Sequence, residues 1–288
     1  MTADSNPTVL VVDDDPALCG LIATVLQRRG WNVVTCGTAR EAFDRLANES
    51  YPLVLLDILL PDGDGLDLLR QFAPLKPQTR FVIITADETS ESVVRAIRGS
   101  AYDFMRKPFS PGQLADNVEQ WLHAAAEPQI EVLSAKPEWI ELSLPCSLPA
   151  ADRIGNFLRS LKVDFPPQVR DEVSDCFREL LLNAVEWGGG LNPERRVRVS
   201  YLRTARLLMY RIADPGQGFR FDQIEHAAVG SAVTDPIALA RIREEKGLRP
   251  GGLGLMIVRA RADELLYNEA QNEVVFIKYL DKAADVAQ

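Results

Sequence analysis

The strongest constraint on the fold is a repeated local pattern, a short and wholly apolar run that stops at polar residues. Val9-Leu10-Val11-Val12 stops at Asp13, Asp14 and Asp15, Leu53-Val54-Leu55-Leu56 stops at Asp57, and Phe81-Val82-Ile83-Ile84 stops at Thr85. Such a run has no solvated face, so it predicts a strand buried on both sides, as in parallel sheets covered by helices. Further strands are expected at 31–35 and 103–105. Helical patterns fall between the strands at 17–28, 39–47, 65–72, 90–98 and 111–124, with Gly30 as the C-cap of the first. Strands alternating with helices predict a doubly wound α/β domain over 8–124, built on a parallel five-stranded sheet.

In such sheets ligands bind at the carboxyl ends of the strands, where the polar residues fall. Asp13 and Asp14 end the first strand, Asp57 the third and Thr85 the fourth, and Lys107-Pro108 follow the fifth. Three carboxylates meeting at one sheet edge repel each other unless a hard cation lies among them, and Mg²⁺ prefers oxygen ligands. Lys107 and Thr85 beside them can hold the oxygens of a phosphoryl group taken up by Asp57.

These residues, with D-I-x-x-P-D-G-x-G-L from Asp57 to Leu66, Thr85-Ala86, and K-P-F from Lys107 to Phe109, resemble the receiver domain of bacterial two-component response regulators. The resemblance implies that Asp57 is the phosphoacceptor and that Asp13 and Asp14 help bind Mg²⁺. It further implies that Thr85 and Lys107 contact the phosphoryl group, and that Phe104 is the aromatic that changes rotamer when Thr85 moves. An upstream histidine kinase is the implied phosphoryl donor.

After this segment, small and polar residues run from Ala124, and Pro128 and Pro137 punctuate the chain, so a short linker is expected at 125–138. The charge changes there. Up to Glu127 the chain has 11 basic and 18 acidic residues, leaving 21 basic against 23 acidic afterwards, from totals of 32 and 41. The acidity belongs mostly to the first half. Neither half has the basic excess that binding to the phosphate backbone needs, nor does the second show a helix-turn-helix with a basic recognition stretch. Direct DNA binding and attraction to an anionic membrane are not expected.

The second half, 139–284, reads as an α+β two-layer domain. Strands are expected at 139–144, 197–201, 207–212, 265–268 and 273–280, and helices at 148–161, 168–187 and 255–262. Glu179, Asn183 and Glu186 are spaced four and three apart on the long helix, so they share a side and can address one site. Asn183 offers an oxygen for Mg²⁺. Glu179, one turn earlier, suits a general base. Asp214, opening the loop Asp214-Pro215-Gly216-Gln217-Gly218-Phe219, can accept a hydrogen bond from an exocyclic amine such as that of adenine. The glycines Gly251, Gly252 and Gly254 let the backbone approach phosphates at the start of a helix.

The boxes E-L-L-x-N-A-x-E-x-G (Glu179 to Gly188), D-x-G-x-G-F (Asp214 to Phe219) and G-G-L-G-L-x-I-V (Gly251 to Val258) resemble the ATP-binding domain shared by gyrase, Hsp90 chaperones and histidine kinases. Asp235-Pro236, R-x-G-G-L-G-L from Arg249 and A-D-E-L from Ala262 are most similar to the anti-sigma-factor serine kinases. The resemblance implies ATP with Mg²⁺ as cofactors, a lid between Phe219 and Gly247, and a serine-bearing antagonist or a sigma factor as partner. It also makes a homodimer an expectation. The family usually has His where this chain has Trp187, and an indole cannot take up a proton as imidazole does, which leaves catalysis open.

The remaining features narrow the class. Cys19, Cys36, Cys146 and Cys176 form no CxxC pair, so reduced, buried thiols are expected. The N-terminus lacks a signal-peptide pattern and no apolar run reaches about 18 residues, so a cytoplasmic protein is expected. No segment between the halves can form the dimerisation hairpin of a histidine kinase. Two functions remain. One is a receiver controlling an ATP-dependent protein serine kinase or anti-sigma factor. The other is a non-catalytic partner-binding switch in which nucleotide is only structural.

Overall fold

The computed structural model describes residues 6–87, 89–124, 128–161, 165–218 and 254–280. Two compact units divide the chain, Met1–Ala126 with Asn156–Val163, and Glu127–Gly155 with Asp164–Gln288. The helix over Leu148–Ser160, expected wholly within the second domain, contributes residues to both units.

The first unit runs β1 (Thr8–Val12), α1 (Pro16–Arg28), β2 (Asn32–Cys36), α2 (Ala39–Asn48), β3 (Leu53–Leu56), the two-residue pair β4 (Leu59–Leu60) and β5 (Gly63–Asp64), α3 (Gly65–Phe72), β6 (Arg80–Thr85), α4 (Ser90–Arg98), β7 (Asp103–Arg106) and α5 (Pro111–His123). The main sheet is parallel, in the order β2-β1-β3-β6-β7. Alternate residues of the apolar runs serve opposite faces. Val9, Val11, Leu53, Leu55, Val82 and Ile84 join a core with Ile22 and Leu26 of α1 and Leu114, Val118 and Trp121 of α5. Leu10, Val54 and Ile83 between them are equally buried, which requires a second apolar layer on the other face. Each fully buried side chain of this kind contributes about 1.5–3 kcal/mol.

Two local differences from the expected boundaries have clear causes. Strand β2 starts one residue late because Trp31 turns into the core and its N–H bonds back to the Leu26 carbonyl at 3.2 Å. Asp15, third of the acidic run, serves as the N-cap of α1, accepting from Ala17 N at 2.9 Å and Leu18 N at 3.1 Å. It satisfies helix donors that would otherwise be unpaired.

The second unit contains β8 (Glu131–Lys136), β9 (Trp139–Pro145), part of α6 (Leu148–Ser160), α7 (Pro167–Asn183), a π turn (Ala184–Gly188), β10 (Arg196–Arg203), β11 (Leu207–Ala213), α8 (Gly254–Arg261), β12 (Glu264–Tyr267) and β13 (Glu273–Tyr279). Its antiparallel sheet has the order β12-β13-β11-β10-β9-β8. Helix α7 lies on this sheet through Phe177, whose ring is 4.7 Å from that of Tyr210. Tyr210 in turn touches Tyr201 on β10 and Phe276 on β13. Helix α8 packs along α7. The result is two layers around an aromatic centre.

Two expectations are corrected here. Much of the expected linker is β8, an edge strand paired with β9 and bulged between Val132 and Ser134. The long helix does not continue as an α-helix to Trp187. It ends at Asn183 and widens into a π turn, closed by Gly189 N–H to Ala184 O at 2.8 Å. The 3.6-residue spacing that grouped Glu186 with Glu179 and Asn183 therefore fails at Glu186, whereas Glu179 and Asn183 keep it.

Candidate functional site

In the first unit, parallel register brings the acidic ends of β1 and β3 side by side, with Asp57 N–H bonded to Val12 O at 2.9 Å. The carboxylate oxygens of Asp13, Asp14 and Asp57 lie within 4.8 Å of one another. Asp13 and Asp57 are buried and Asp14 is exposed. Lys107, just past β7, places Nζ 2.5 Å from Oδ2 of both Asp13 and Asp57. Burial opposes its charge, but the two carboxylates outweigh that and raise its pKa above the usual lysine value. Burial raises the Asp13 pKa, and Lys107 only partly offsets it.

The Asp57 carboxylate is aimed by its own neighbours. Oδ1 accepts from Ile58 N at 2.6 Å. Gly65 is required behind it, because a Cβ there would collide with the Asp57 carbonyl. Thr85 is buried at the end of β6 and accepts from Asp87 N at 3.1 Å, while its carbonyl takes the N–H of Lys107 at 2.9 Å. Phe104 is buried on β7, its N–H bonded to Asp103 Oδ1 at 2.7 Å, and Trp121 Nε1 donates to Asp103 Oδ2 at 2.9 Å. Asp13, Asp14, Asp57 and Lys107 thus come together at the carboxyl ends of the strands. An all-oxygen set of this size fits a hard divalent cation.

In the second unit, Asp214 follows β11 at the turn opposite the π segment. Gly216 N donates to its Oδ1 at 2.7 Å. A Cβ on Gly188 would collide with its carboxyl group, and one on Gly216 would come within 3.0 Å of Gly188 Cα and O. Both glycines exist to let two backbone segments and one carboxylate share a small volume. Burial raises the Asp214 pKa, moderated by the Gly216 N–H and by the charge of Arg195. Gly218 has φ +79°, and a Cβ there would collide with Ala270 O. Glu179, half-buried on α7, points its carboxylate at the start of α8, where a Cβ on Gly254 would collide with it. Asn183 is half-buried one turn on, and Trp187 is 48% exposed in the π turn. Gly251, Gly252, Arg249, Asp235 and Pro236, with the expected lid, lie outside the described residues.

Sequence reasoning missed Arg195 and Asn272. Arg195 Nη2 donates to Pro215 O at 2.6 Å, and Asn272 Nδ2 donates to Gly216 O at 3.0 Å. Both act on backbone carbonyls from far along the chain, so no motif marks them. Among the described residues no helix is long and apolar enough to cross a membrane. All four cysteines are free and buried, as expected.

Comparison with known proteins agrees with the division of labour between the two halves. The family model described as response regulator receiver domain matches residues 9–119, and that described as histidine kinase-like ATPase domain matches residues 147–278. The chain is 35% identical over 109 residues to the probable transcriptional regulatory protein TcrX of Mycobacterium tuberculosis, covering 38% of this chain and 47% of that protein. It is 30% identical over 182 residues to the DNA-binding transcriptional regulator NtrC of Azospirillum brasilense, covering 63% of this chain and 38% of that protein. The chain thus spans less than half the length of these two curated relatives. A solved CheY-like receiver domain protein from Methanospirillum hungatei matches at 30% identity with a TM-score of 0.40, covering 41% of this chain and 94% of that one. The chain is a response regulator receiver domain followed by a histidine kinase-like ATPase domain.

Proposed function

We propose that the chain is a phosphorylation-gated switch, in which phosphoryl transfer to Asp57 controls an ATP-binding output domain. The observation that supports it most directly is the setting of Asp57, bonded to Lys107 at 2.5 Å beside the Asp13 and Asp14 carboxylates, in a chain that also carries the ATPase-like domain. An oxygen of Asp57 attacks the phosphorus of a phosphohistidine on an upstream histidine kinase. The P–O bond forms as the P–N bond breaks. Lys107 and the Thr85 hydroxyl then hold phosphoryl oxygens, and Phe104 follows Thr85. Asp13, Asp14 and Asp57 would hold Mg²⁺, which when bound neutralises charge on the transferring group.

In the output domain, Asp214 accepts a hydrogen bond from the exocyclic amine of adenine. Asn183 helps hold Mg²⁺, and Gly216, Gly218, Gly251, Gly252 and Gly254 let the backbone approach the nucleotide. Glu179 orients the hydroxyl of a serine on an antagonist protein, making the domain an ATP-dependent protein serine kinase with a sigma factor as its further partner. The serine and the sigma factor rest on the resemblance to anti-sigma-factor kinases. The relatives TcrX and NtrC are named transcriptional regulators, and control through a sigma factor would also regulate transcription. The near-neutral second half favours that route over direct DNA contact. A homodimer and a cytoplasmic location complete the proposal.

Trp187, exposed where the resembled family has His, favours a second reading, a partner-binding switch whose nucleotide is only structural. Nucleotide affinity and turnover, measured with and without the acyl-phosphate mimic beryllofluoride in Mg²⁺, test the gating. A response is expected, and identical values in both states would overturn it. Glu179→Ala separates the readings, since it abolishes phosphate transfer to a serine-bearing partner only if the domain is a kinase.

A further inference from the structure

The Asp214 loop is held from two sides by residues outside every motif. On one side Arg195, in the turn before β10, donates from Nη2 to Pro215 O at 2.6 Å and from Nη1 to Gly189 O at 3.5 Å. Its guanidinium therefore bridges the chain just after the π turn to the residue just after Asp214. On the other side Asn272 accepts Asp214 N–H at its carbonyl, 2.9 Å away, and donates from Nδ2 to Gly216 O at 3.0 Å. Asn272 is itself fixed, because Asn268 Nδ2 donates to its Oδ1 at 2.7 Å and Asn268 Oδ1 accepts its N–H at 3.1 Å.

These bonds leave the loop little freedom. Gly216 N–H occupies Asp214 Oδ1, so the carboxylate plane is set by where Pro215 and Gly216 sit. Arg195 fixes the first of these and Asn272 the second. Arg195 is exposed, and its turn contributes little to the core. Its contacts make sense as a means of aiming Asp214.

We propose that Arg195 and Asn272 are positioning residues that orient the Asp214 carboxylate, and that they thereby set a preference for a 6-amino purine over a 6-oxo purine. This rests on the nucleotide reading proposed above. A 6-amino group donates to a carboxylate, whereas a 6-oxo group is an acceptor and meets it unfavourably, so discrimination depends on the direction of the carboxylate.

The test uses the full chain with Mg²⁺ and measures the affinities of ATP and ITP by calorimetry for wild type, Arg195→Gln, Arg195→Lys and Asn272→Ala. Wild type is expected to prefer ATP. Arg195→Gln and Asn272→Ala should weaken ATP roughly tenfold and leave ITP unchanged, and Arg195→Lys, which keeps a cationic donor for Pro215 O, should recover part of the loss. An equal loss for both nucleotides would show a general structural role and overturn the proposal, as would unchanged ATP affinity. Wild type binding ATP and ITP equally would overturn it while leaving nucleotide binding intact. Wild type binding neither would remove the nucleotide reading and this inference together.

Discussion

Lys107 Nζ lies 2.5 Å from Asp57 Oδ2, and the same ammonium lies 2.5 Å from Asp13 Oδ2. One cation thus serves two carboxylates that are both buried. Lys107→Ala would leave the two carboxylates facing each other without it. Breaking such an arrangement costs about 3–5 kcal/mol when no other charge replaces the lost one. A divalent cation can replace it, so the loss should be largest in chelator. Thermal melts with EDTA and with Mg²⁺ check this, and Mg²⁺ should raise the melting temperature of the variant more than that of wild type. Equal Mg²⁺ shifts in both proteins would argue against a cation site formed by Asp13, Asp14 and Asp57.

The Gly188 site yields a second prediction. Gly188→Ala drives a methyl group into the Asp214 carboxyl group, and the carboxylate is less able to yield because Gly216 N–H holds it at 2.7 Å. Overpacking of this kind costs about 1–3 kcal/mol. The urea midpoint should fall accordingly and ATP affinity should drop with it. Gly190→Ala is the contrasting variant, since a Cβ at Gly190 meets nothing within 4 Å although its φ is +66°. It should lose stability from backbone strain and keep ATP affinity.

How much of this was legible in the sequence follows from which physical signal each part emits. β1, β3 and β6 are buried on both faces, so their apolar runs are unbroken and their ends mark the Asp13, Asp57 and Thr85 positions directly. β8 is an edge strand whose residues are mostly exposed or half-buried, so Glu131–Lys136 has no apolar run to announce it and reads as linker. The π turn is silent because Ala184 and Val185 keep the apolar stripe going while the backbone widens. Asp214 and Glu179 stand out as motif residues. Arg195 and Asn272 reach only carbonyl oxygens, which every residue offers, and nothing in their own surroundings in the chain points to Pro215 or Gly216.

Asp103 supplies a third prediction. Its carboxylate is buried at the head of β7, takes the Phe104 N–H at 2.7 Å and the Trp121 Nε1 proton at 2.9 Å. Trp121→Phe keeps most of the apolar volume and removes the donor. The cost should be about 1.5–3 kcal/mol, the net contribution of one hydrogen bond to a charged group, because the carboxylate keeps its bonds to Phe104 N–H and Asn156 Nδ2. Urea unfolding of the variant measures it, and a midpoint equal to that of wild type would mean the bond carries no net stability.

The last prediction concerns pH. Arg211 on β11 donates from Nε and Nη2 to the two carboxylate oxygens of Glu273 on β13, each at 2.7 Å. Since Arg211 pairs with Val275 and Glu273 with Ala213, the two side chains are diagonal neighbours on the same face. The bond to Arg211 holds the Glu273 carboxyl below its usual value of 4.5. A carboxylate whose pKa is lower folded than unfolded contributes stability above the unfolded value, and loses it as pH falls through the folded one. Both groups are partly exposed, so solvent screening reduces the contribution to on the order of 0.5 kcal/mol. Glu273→Gln should therefore lower the urea midpoint slightly at pH 7, and the gap from wild type should close as pH falls below 4.5 and Glu273 protonates. High salt should narrow the same gap at pH 7. A gap that stayed constant from neutral to acid pH would show that Glu273 acts there through packing and not through its charge.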